Sequence, residues 1–305
     1  MITALAGGVG AARFLGGLAK VVEEKDLTVI VNTGDDMELY GLHISPDVDI
    51  VTYTFAGIVD DAKGWGVKGD SFNFLESLRN LGCETWFSLG DRDLATHMYR
   101  TMRLKQGLTL TEVTKEVCAA LGVRANILPM TDDPFETHIT TKDGSMHFEE
   151  YYVKKGSADD VVDVTFPGSD NAKPASGVIS SIENAEMVLV CPSNPIVSIG
   201  TILGIKGVRE ALKRTSARKV AISPIIAGAP VKGPADKLLK GLGFEVSAYG
   251  VAELYSDFLD VLIIDVLDSS LKQRIEKLGL EVKVTNTIMK SMDDKVELAK
   301  VAMQK

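Results

Sequence analysis

The first 32 residues constrain this chain more than any other part of it. Ile2 to Ala6 is an apolar run of strand length, Gly7-Gly8-Val9-Gly10 interrupts it, and the apolar spacing from Ala11 through Phe14 and Leu15 is helical. A second run, Leu27-Thr-Val-Ile-Val-Asn32, is apolar almost throughout instead of alternating, the mark of a strand buried on both faces. Strand, glycine turn, helix (about Ala11 to Glu24) and strand make one unit of a parallel sheet, whose crossovers cover it with helices. Such a turn also presents free backbone N–H groups and the positive end of a helix dipole, a combination that attracts phosphate.

The rest of the chain continues the alternation. Strands are expected at Met187–Cys191, Val220–Ser223, Leu259–Asp265 and Glu281–Val284, and helices at Leu203–Arg214, Lys237–Leu242 and Leu271–Leu278, the last stopped by Gly279. The segment Asp49–Thr54 reads equally as a strand or as the start of a helix. Ser71 to Gly122 is helical in pattern, with a Thr109/Glu112 capping box and Gly122 placed to end the helix. Lys142-Asp143-Gly144-Ser145 between two β-prone runs marks a hairpin within Thr137–Tyr152, and Ser157–Pro174 is a loop or edge region. The expected fold is α/β: a Rossmann-like, doubly wound, mostly parallel sheet with a β-hairpin and a smaller helical insertion. Residues 1–70 and 126–305 would form the nucleotide-binding core and 71–125 the insertion.

Composition closes off several function classes. With 33 basic against 42 acidic residues among 305, net charge is −9, and no long Lys/Arg run is present, so nucleic acid is an unsuitable partner. Cys83, Cys118 and Cys191 are far apart and lack zinc-site spacing, as suits reduced thiols. No apolar run reaches the roughly 18 residues of a membrane span, and Met1 leads directly into the first strand, so a cytoplasmic protein without membrane contact is expected.

The glycine turn lacks the third glycine of a dinucleotide fingerprint and the Lys-Ser/Thr of a Walker loop, so it predicts a phosphate cradle without predicting NAD. Asp35-Asp36 ends a buried strand and Asp47-x-Asp49 follows closely; that much like charge suits a shared cation, and magnesium fits carboxylates beside a phosphate turn. In the plainer alternative, Asp36 caps the next segment and Asp47 forms an Asx turn after Pro46. Arg92, between Asp91 and Asp93, is either part of an ion-pair network or a planar fork for phosphate. Four residues on, His97 is more often a surface or core histidine than a catalyst. Trp65, between Gly64 and Gly66, is a core plug or a stacking surface. Cys191-Pro-Ser193-Asn194-Pro and Ser223-Pro-Ile-Ile-Ala-Gly228 are two small polar loops after buried strands, and with the glycine turn they describe a nucleotide crevice.

Ala6-Gly-Gly-Val-Gly10 with Arg13-Phe14, Asn32-Thr-Gly-Asp-Asp36, Ser45-Pro-Asp-Val-Asp49, Gly64-Trp-Gly66, Leu89-Gly-Asp-Arg-Asp-Leu-Ala-Thr-His97, Pro192-Ser-Asn-Pro-Ile-Val-Ser-Ile-Gly200 and Ser223–Gly228 together resemble the 2-phospho-L-lactate transferase family of deazaflavin coenzyme biosynthesis. The resemblance spans most of the chain. It implies magnesium-dependent transfer of a 2-phospholactyl, or in some members phosphoenolpyruvyl, group from a guanosine diphosphate conjugate to the ribityl hydroxyl of a deazaflavin, with release of GMP, commonly by a homodimer. It further implies Asp35 and Asp49 as the leading magnesium or acceptor contacts, with Asp36 and Asp47 behind them, and Arg92 as a phosphate or acceptor contact. Gly8, Val9, Gly10, Ser193, Asn194 and Gly200, with Arg13 and Ser223 beside them, would hold the guanosine diphosphate. Trp65 or Trp86 would stack on the deazaflavin. A non-catalytic nucleotide-binding regulator of the gluconeogenesis-factor type is the alternative; there Asp-Asp-Gly-Gly-Ser is expected where this chain has Asp35-Asp36-Met37-Glu38-Leu39. An NAD-dependent oxidoreductase is a third, disfavoured by the glycine spacing.

Overall fold

A computed structural model describes residues 1–304. β1 (Ile2–Ala6) runs into α1 (Gly8–Leu18), and β2 (Leu27–Val31) returns parallel to β1 with Ile2 opposite Leu27 and Ala6 opposite Val31. A small hairpin, β3 (Met37–Leu39) and β4 (Leu42–Ile44), precedes α2 (Pro46–Phe55), α3 (Asn73–Asn80), α4 (Asp91–Lys105), α5 (Leu110–Ala120) and β5 (Asn126–Pro129). β6 (His138–Thr141), β7 (Gly144–His147) and β8 (Asp163–Thr165) form a separate antiparallel sheet, with one π-helical turn, Glu150–Lys154, after β7. The second half comprises α6 (Val178–Glu183), β9 (Met187–Val190), α7 (Ile199–Gly204), α8 (Val208–Arg214), β10 (Arg218–Ile222), the short pair β11 (Ile225–Ile226) and β12 (Ala229–Pro230), and α9 (Ala235–Gly241). It closes with α10 (Ala248–Tyr255), β13 (Val261–Asp265), α11 (Lys272–Glu276), β14 (Glu281–Thr285) and α12 (Met292–Met303).

Seven strands form the central sheet in the order β14-β13-β10-β9-β1-β2-β5, every neighbouring pair parallel. The chain lays β2 and β5 on one side of β1 and the four later strands on the other, so the direction of winding reverses between β1 and β9. In open α/β sheets that reversal opens a crevice at the carboxyl ends of the strands, the usual ligand site.

Strand alternation sends Leu5 and Ile30 into a core under the helices from α6 to α11, and Ala4, Ala6, Val29 and Val31 into a second core under α1, α2 and α12. α1 meets α12 at Gly17, where any side chain would be driven into the Lys295 backbone. A third, small cluster, Ile44, Leu75 and Leu89, joins β4 to the α3–α4 region, so the helices of 73–120 share their packing with the β3–β4 hairpin. No helix among the described residues is long and apolar enough to cross a membrane.

Several boundaries differ from the sequence reading. The glycine turn is itself the first turn of α1, which starts at Gly8 and ends at Leu18. Asp49–Thr54 is helical, because Pro46 at the first position of α2 presets its φ. The expected helix Leu203–Arg214 is two helices, broken where Gly207 turns left-handed at φ 93°.

Candidate active site

A cleft of about 880 Å³ runs along the carboxyl ends of the strands at the reversal. Gly8, Val9, Gly10, Arg13, Asp35, Asp47, Asp49, Trp65, Ser193, Asn194 and Ser223 line it; Asp36, Trp86, Arg92 and Gly200 do not.

The glycines of the first turn have structural causes. Gly8 has φ 71°, and a Cβ at Gly10 would run into the Pro192 carbonyl oxygen, so Gly10 lets α1 approach the loop after β9. The Gly8 amide donates to Asp47 Oδ1 at 2.7 Å and the Gly7 amide to Ser193 Oγ at 3.3 Å. Asp47 thus caps α1, which the sequence reading did not foresee. The amides of Val9 and Gly10, in the first helical turn, have no intrahelical acceptor, and both residues line the cleft.

Asn32, fully buried at the end of β2, organises the acids. Its Nδ2 donates to Asp35 Oδ2 at 3.0 Å and to Asp47 Oδ2 at 2.9 Å, while its Oδ1 accepts from the Gly34 amide and from Thr201 Oγ1. Both oxygens of Asp47 are therefore occupied. So are those of Asp36, which accepts from Ser45 Oγ at 2.8 Å and pairs with His43 Nε2 at 3.0 Å. Asp35 differs, since its Oδ1 is buried with no partner. Burial, then Asp47 and Glu149, push the Asp35 carboxyl well above the usual range; burial likewise raises Asp47 to about 6. Glu149, a lining residue missed in the sequence reading, rises to about 8 through burial and the charge of Asp47.

The second acidic group comes from α2 and α4. Asp93, His97 and Arg100 lie at helical spacing on the buried face of α4, and Arg100 is the largest fully buried side chain. Its guanidinium pairs with Asp49 Oδ1 and reaches His97 Nδ1 at 3.2 Å. His97 lies 3.5 Å from Asp49 Oδ2 and 3.4 Å from Asp93 Oδ1, and Tyr53 Oη donates to Asp93 Oδ1 at 2.7 Å. Burial raises the Asp49 carboxyl against the opposing pull of Arg100 and His97, and its Oδ2, on a residue of the cleft wall, accepts no hydrogen bond among the described residues. Burial would raise Asp93 too, but hydrogen bonds from His97 and Tyr53 and the nearby charges hold it below the usual range. The repeat Asp93-x-x-x-His97-x-x-Arg100 on a helix was the signal available in the sequence.

Arg92 is exposed; its side chain reaches only the Lys68 carbonyl, at 3.4 Å, and its amide donates to Asp70. Trp86 packs edge-on against Phe87, which lines the cleft in its place. Gly200 lies within α7, where a Cβ would come 3.0 Å from the Pro195 carbonyl. Asn194 Oδ1 accepts from the Ile196 amide at 3.0 Å, and Ser223 Oγ from the Ile225 amide at 3.2 Å, so both side chains brace their own loops.

The donor set fits magnesium, whose preference is for hard oxygen ligands. Among the described residues, Asp35 Oδ1 and Asp49 Oδ2 are buried carboxylate oxygens on cleft-lining residues that accept no hydrogen bond, and no basic side chain is hydrogen-bonded to Asp35, Asp47 or Glu149. Asp36 and Asp47, expected as further ligands, are committed to internal hydrogen bonds. Among the described residues one group, Asp49, Asp93 and His97, has ligand atoms within 4.8 Å of one another, and Arg100 already supplies it with a cation.

Comparison with known proteins gives a consistent pattern. The family described as 2-phospho-L-lactate transferase CofD matches residues 2–302. A 2-phospho-L-lactate transferase of Methanosarcina mazei is 42% identical over 98% of this chain and 98% of its own, and one of Methanocaldococcus jannaschii is 44% identical over 98% and 96%. A phosphoenolpyruvate transferase of Kitasatospora aureofaciens is 42% identical over 99% of this chain and 96% of its own. Among solved structures, a UPF0052-family protein of Bacillus halodurans shares the fold with a TM-score of 0.66 at 16% identity, covering 99% of this chain and 98% of that one.

Proposed function

This chain belongs to the 2-phospho-L-lactate transferase family, and from that premise we propose that it moves a 2-phospholactyl or phosphoenolpyruvyl group from a guanosine diphosphate conjugate to the ribityl hydroxyl of a deazaflavin, releasing GMP. Relatives named for the two donor groups are about equally similar to it, so identity does not choose between them.

One observation carries the reading: a single cleft is lined by carboxylates, with Asp35 Oδ1 and Asp49 Oδ2 accepting no hydrogen bond, and by Arg13, Lys232 and Lys290, none of which is paired with a carboxylate among the described residues, an arrangement suited to a metal-bound diphosphate. The Val9 and Gly10 amides and Arg13 hold the donor's phosphates. Asp35 and Asp49 would hold magnesium, which would supply positive charge against the diphosphate oxygens. The acceptor hydroxyl attacks the phosphorus bearing the substituent, the new O–P bond replaces the anhydride bond to GMP, and GMP leaves with the electron pair. The hydroxyl proton passes to a cleft carboxylate. Arg100 opposes the burial that raises the Asp49 carboxyl and holds Oδ1 in place, so that this step starts from a fixed geometry. Trp65 offers the planar acceptor a stacking face.

Incubating the protein with a deazaflavin, the guanylated donor and magnesium should give the phosphodiester product by mass, with GMP released only when acceptor is present. Binding of GDP with no product from any deazaflavin would instead identify a nucleotide-binding regulator.

A further inference from the structure

Arg13 and Lys232 come from opposite halves of the chain and meet over the first turn of α1. Gly64 shows how closely: a Cβ there would lie 3.8 Å from Lys232 Nζ, 3.9 Å from an Arg13 guanidinium nitrogen and 3.0 Å from Val9 Cγ1. Neither cation has a carboxylate partner among the described residues, whereas Lys63, on the same turn as Gly64, is paired with Asp60. Partial burial, and then the charge of Arg13, lower the Lys232 pKa, so the two groups repel without a compensating anion. Two cations held together without a carboxylate paired to either among the described residues, beside the first-turn amides of α1, form a clamp suited to an anion.

Lys232 has a second contact. Its ammonium donates to the Lys63 carbonyl at 3.5 Å, joining the loop after β12 to the turn that carries Trp65. That turn is closed by a bridge between Val59 and Val67 and is flanked by Gly57 and Gly69, both left-handed and both with open space around them.

We propose that Lys232 grips the diphosphate of the guanylyl donor opposite Arg13 and, through the Lys63 carbonyl, fastens the Trp65 turn across the cleft when that diphosphate is bound. The inference rests on the donor assigned above and adds to it a phosphate contact and an order of events: the donor's phosphates set the Trp65 surface before the acceptor meets it. Loss of one charge-assisted phosphate contact weakens binding by roughly ten-fold or more.

The test uses the full chain with magnesium and three probes, GDP, guanosine and inorganic phosphate, titrated calorimetrically into wild type, Lys232→Met and Lys232→Arg. A Trp86→Phe background isolates Trp65 emission. The expected result is that Lys232→Met weakens GDP at least ten-fold but leaves guanosine unchanged, that Lys232→Arg restores most of the GDP affinity, and that GDP shifts Trp65 emission only when a cation occupies position 232. Equal weakening of GDP and guanosine, or equal GDP affinity in wild type and Lys232→Met, overturns the clamp and leaves the transferase reading standing. Weakened GDP with an unaltered Trp65 response overturns the fastening. Tight binding of inorganic phosphate, with no gain from the guanosine moiety, overturns the donor assignment. Failure of GDP to bind wild type removes that assignment and the inference together.

Discussion

Asp70 and Asp91 each cap the helix beside the other. Asp91, the first residue of α4, accepts from the Asn73 and Phe74 amides at the start of α3, at 3.1 and 3.0 Å; Asp70, just before α3, accepts from the Arg92 and Asp93 amides at the start of α4, at 2.9 and 3.0 Å. Gly90 is the hinge of this exchange, because a side chain there would collide with the Asp70 carboxylate. The charged string from Asp91 to Asp93 is therefore mainly helix-terminus chemistry, and its effect on the cleft is to fix where Asp93 and His97 emerge.

The exchange is pH-sensitive. The Phe74 amide first, then Ser71 and Asn73, hold the Asp91 carboxyl down to about 2. A depressed carboxylate stabilises the fold above the ordinary unfolded value near 3.8 and loses that contribution as pH falls through about 2. Thermal denaturation of wild type and Asp91→Asn should differ at pH 5 and above and converge between pH 4 and 2. A constant difference across that window would show that Asp91 acts otherwise.

Asp49 should separate chemistry from stability. Asp49→Asn is expected to lower transfer at least ~100-fold, the effect of losing a central electrostatic contact, while the fold survives. Asp49→Ala should in addition destabilise by about 3–5 kcal/mol, because it strands the buried Arg100 guanidinium. Single-turnover assays and urea titrations of the two variants check this, and wild-type turnover in Asp49→Asn would remove Asp49 from the site.

Glu149 should tilt the stability profile. With its carboxyl raised to about 8 by burial and Asp47, the folded chain keeps a proton that the unfolded chain releases near 4.5, so stability falls as pH rises from there to about 8. Glu149→Gln should flatten that slope. An unchanged slope in urea titrations at pH 5, 6.5 and 8 would contradict it.

Magnesium should raise the melting temperature, more at pH 8 than at pH 6, since protons compete with it for the same carboxylates. Asp35→Asn should abolish most of that rise, because it removes the charge of a carboxyl whose Oδ1 accepts no hydrogen bond among the described residues. A full magnesium response in the variant would place the ion elsewhere.

The two tryptophans should behave differently. Trp65→Ala is expected to raise the acceptor KM by roughly five-fold, about 1 kcal/mol of stacking. Trp86→Ala should do less, since Trp86 does not line the cleft and its neighbour Phe87 does. Steady-state kinetics with varied deazaflavin decide it.

Strands whose apolar runs are continuous were legible in the sequence, because burial on both faces leaves few polar residues to blur them: β1, β2, β9 and β13 lie where those runs are, as does the buried part of β10, whereas the partly exposed β14 (Glu281-Val-Lys-Val-Thr285) showed through its alternation. β5 was missed, for Asn126-Ile-Leu-Pro129 is a four-residue edge strand ending in proline. α12 was missed because its apolar face is narrow and its reason for existing is the groove at Gly17, a tertiary fact. At the site, Asp35 and Asp49 were set apart from Asp36 and Asp47 by the family resemblance and by the plainer alternative in which Asp36 and Asp47 serve structure, but nothing local shows that Asn32, Ser45, His43 and the Gly8 amide are what occupy the latter pair. Arg100 was hidden for a similar reason: its partner is 51 residues away in sequence.

The reversal of winding between β1 and β9 also bears on biosynthesis. The wall of the cleft takes Gly8 from the second residue after β1 and Lys290 from the loop following β14. A ribosome that has made two-thirds of the polypeptide has exposed Asp35, Asp49 and the free amides of α1 with neither Lys232 nor Lys290 to face them. The wall of the cleft is thus complete only once the last parallel strand has docked.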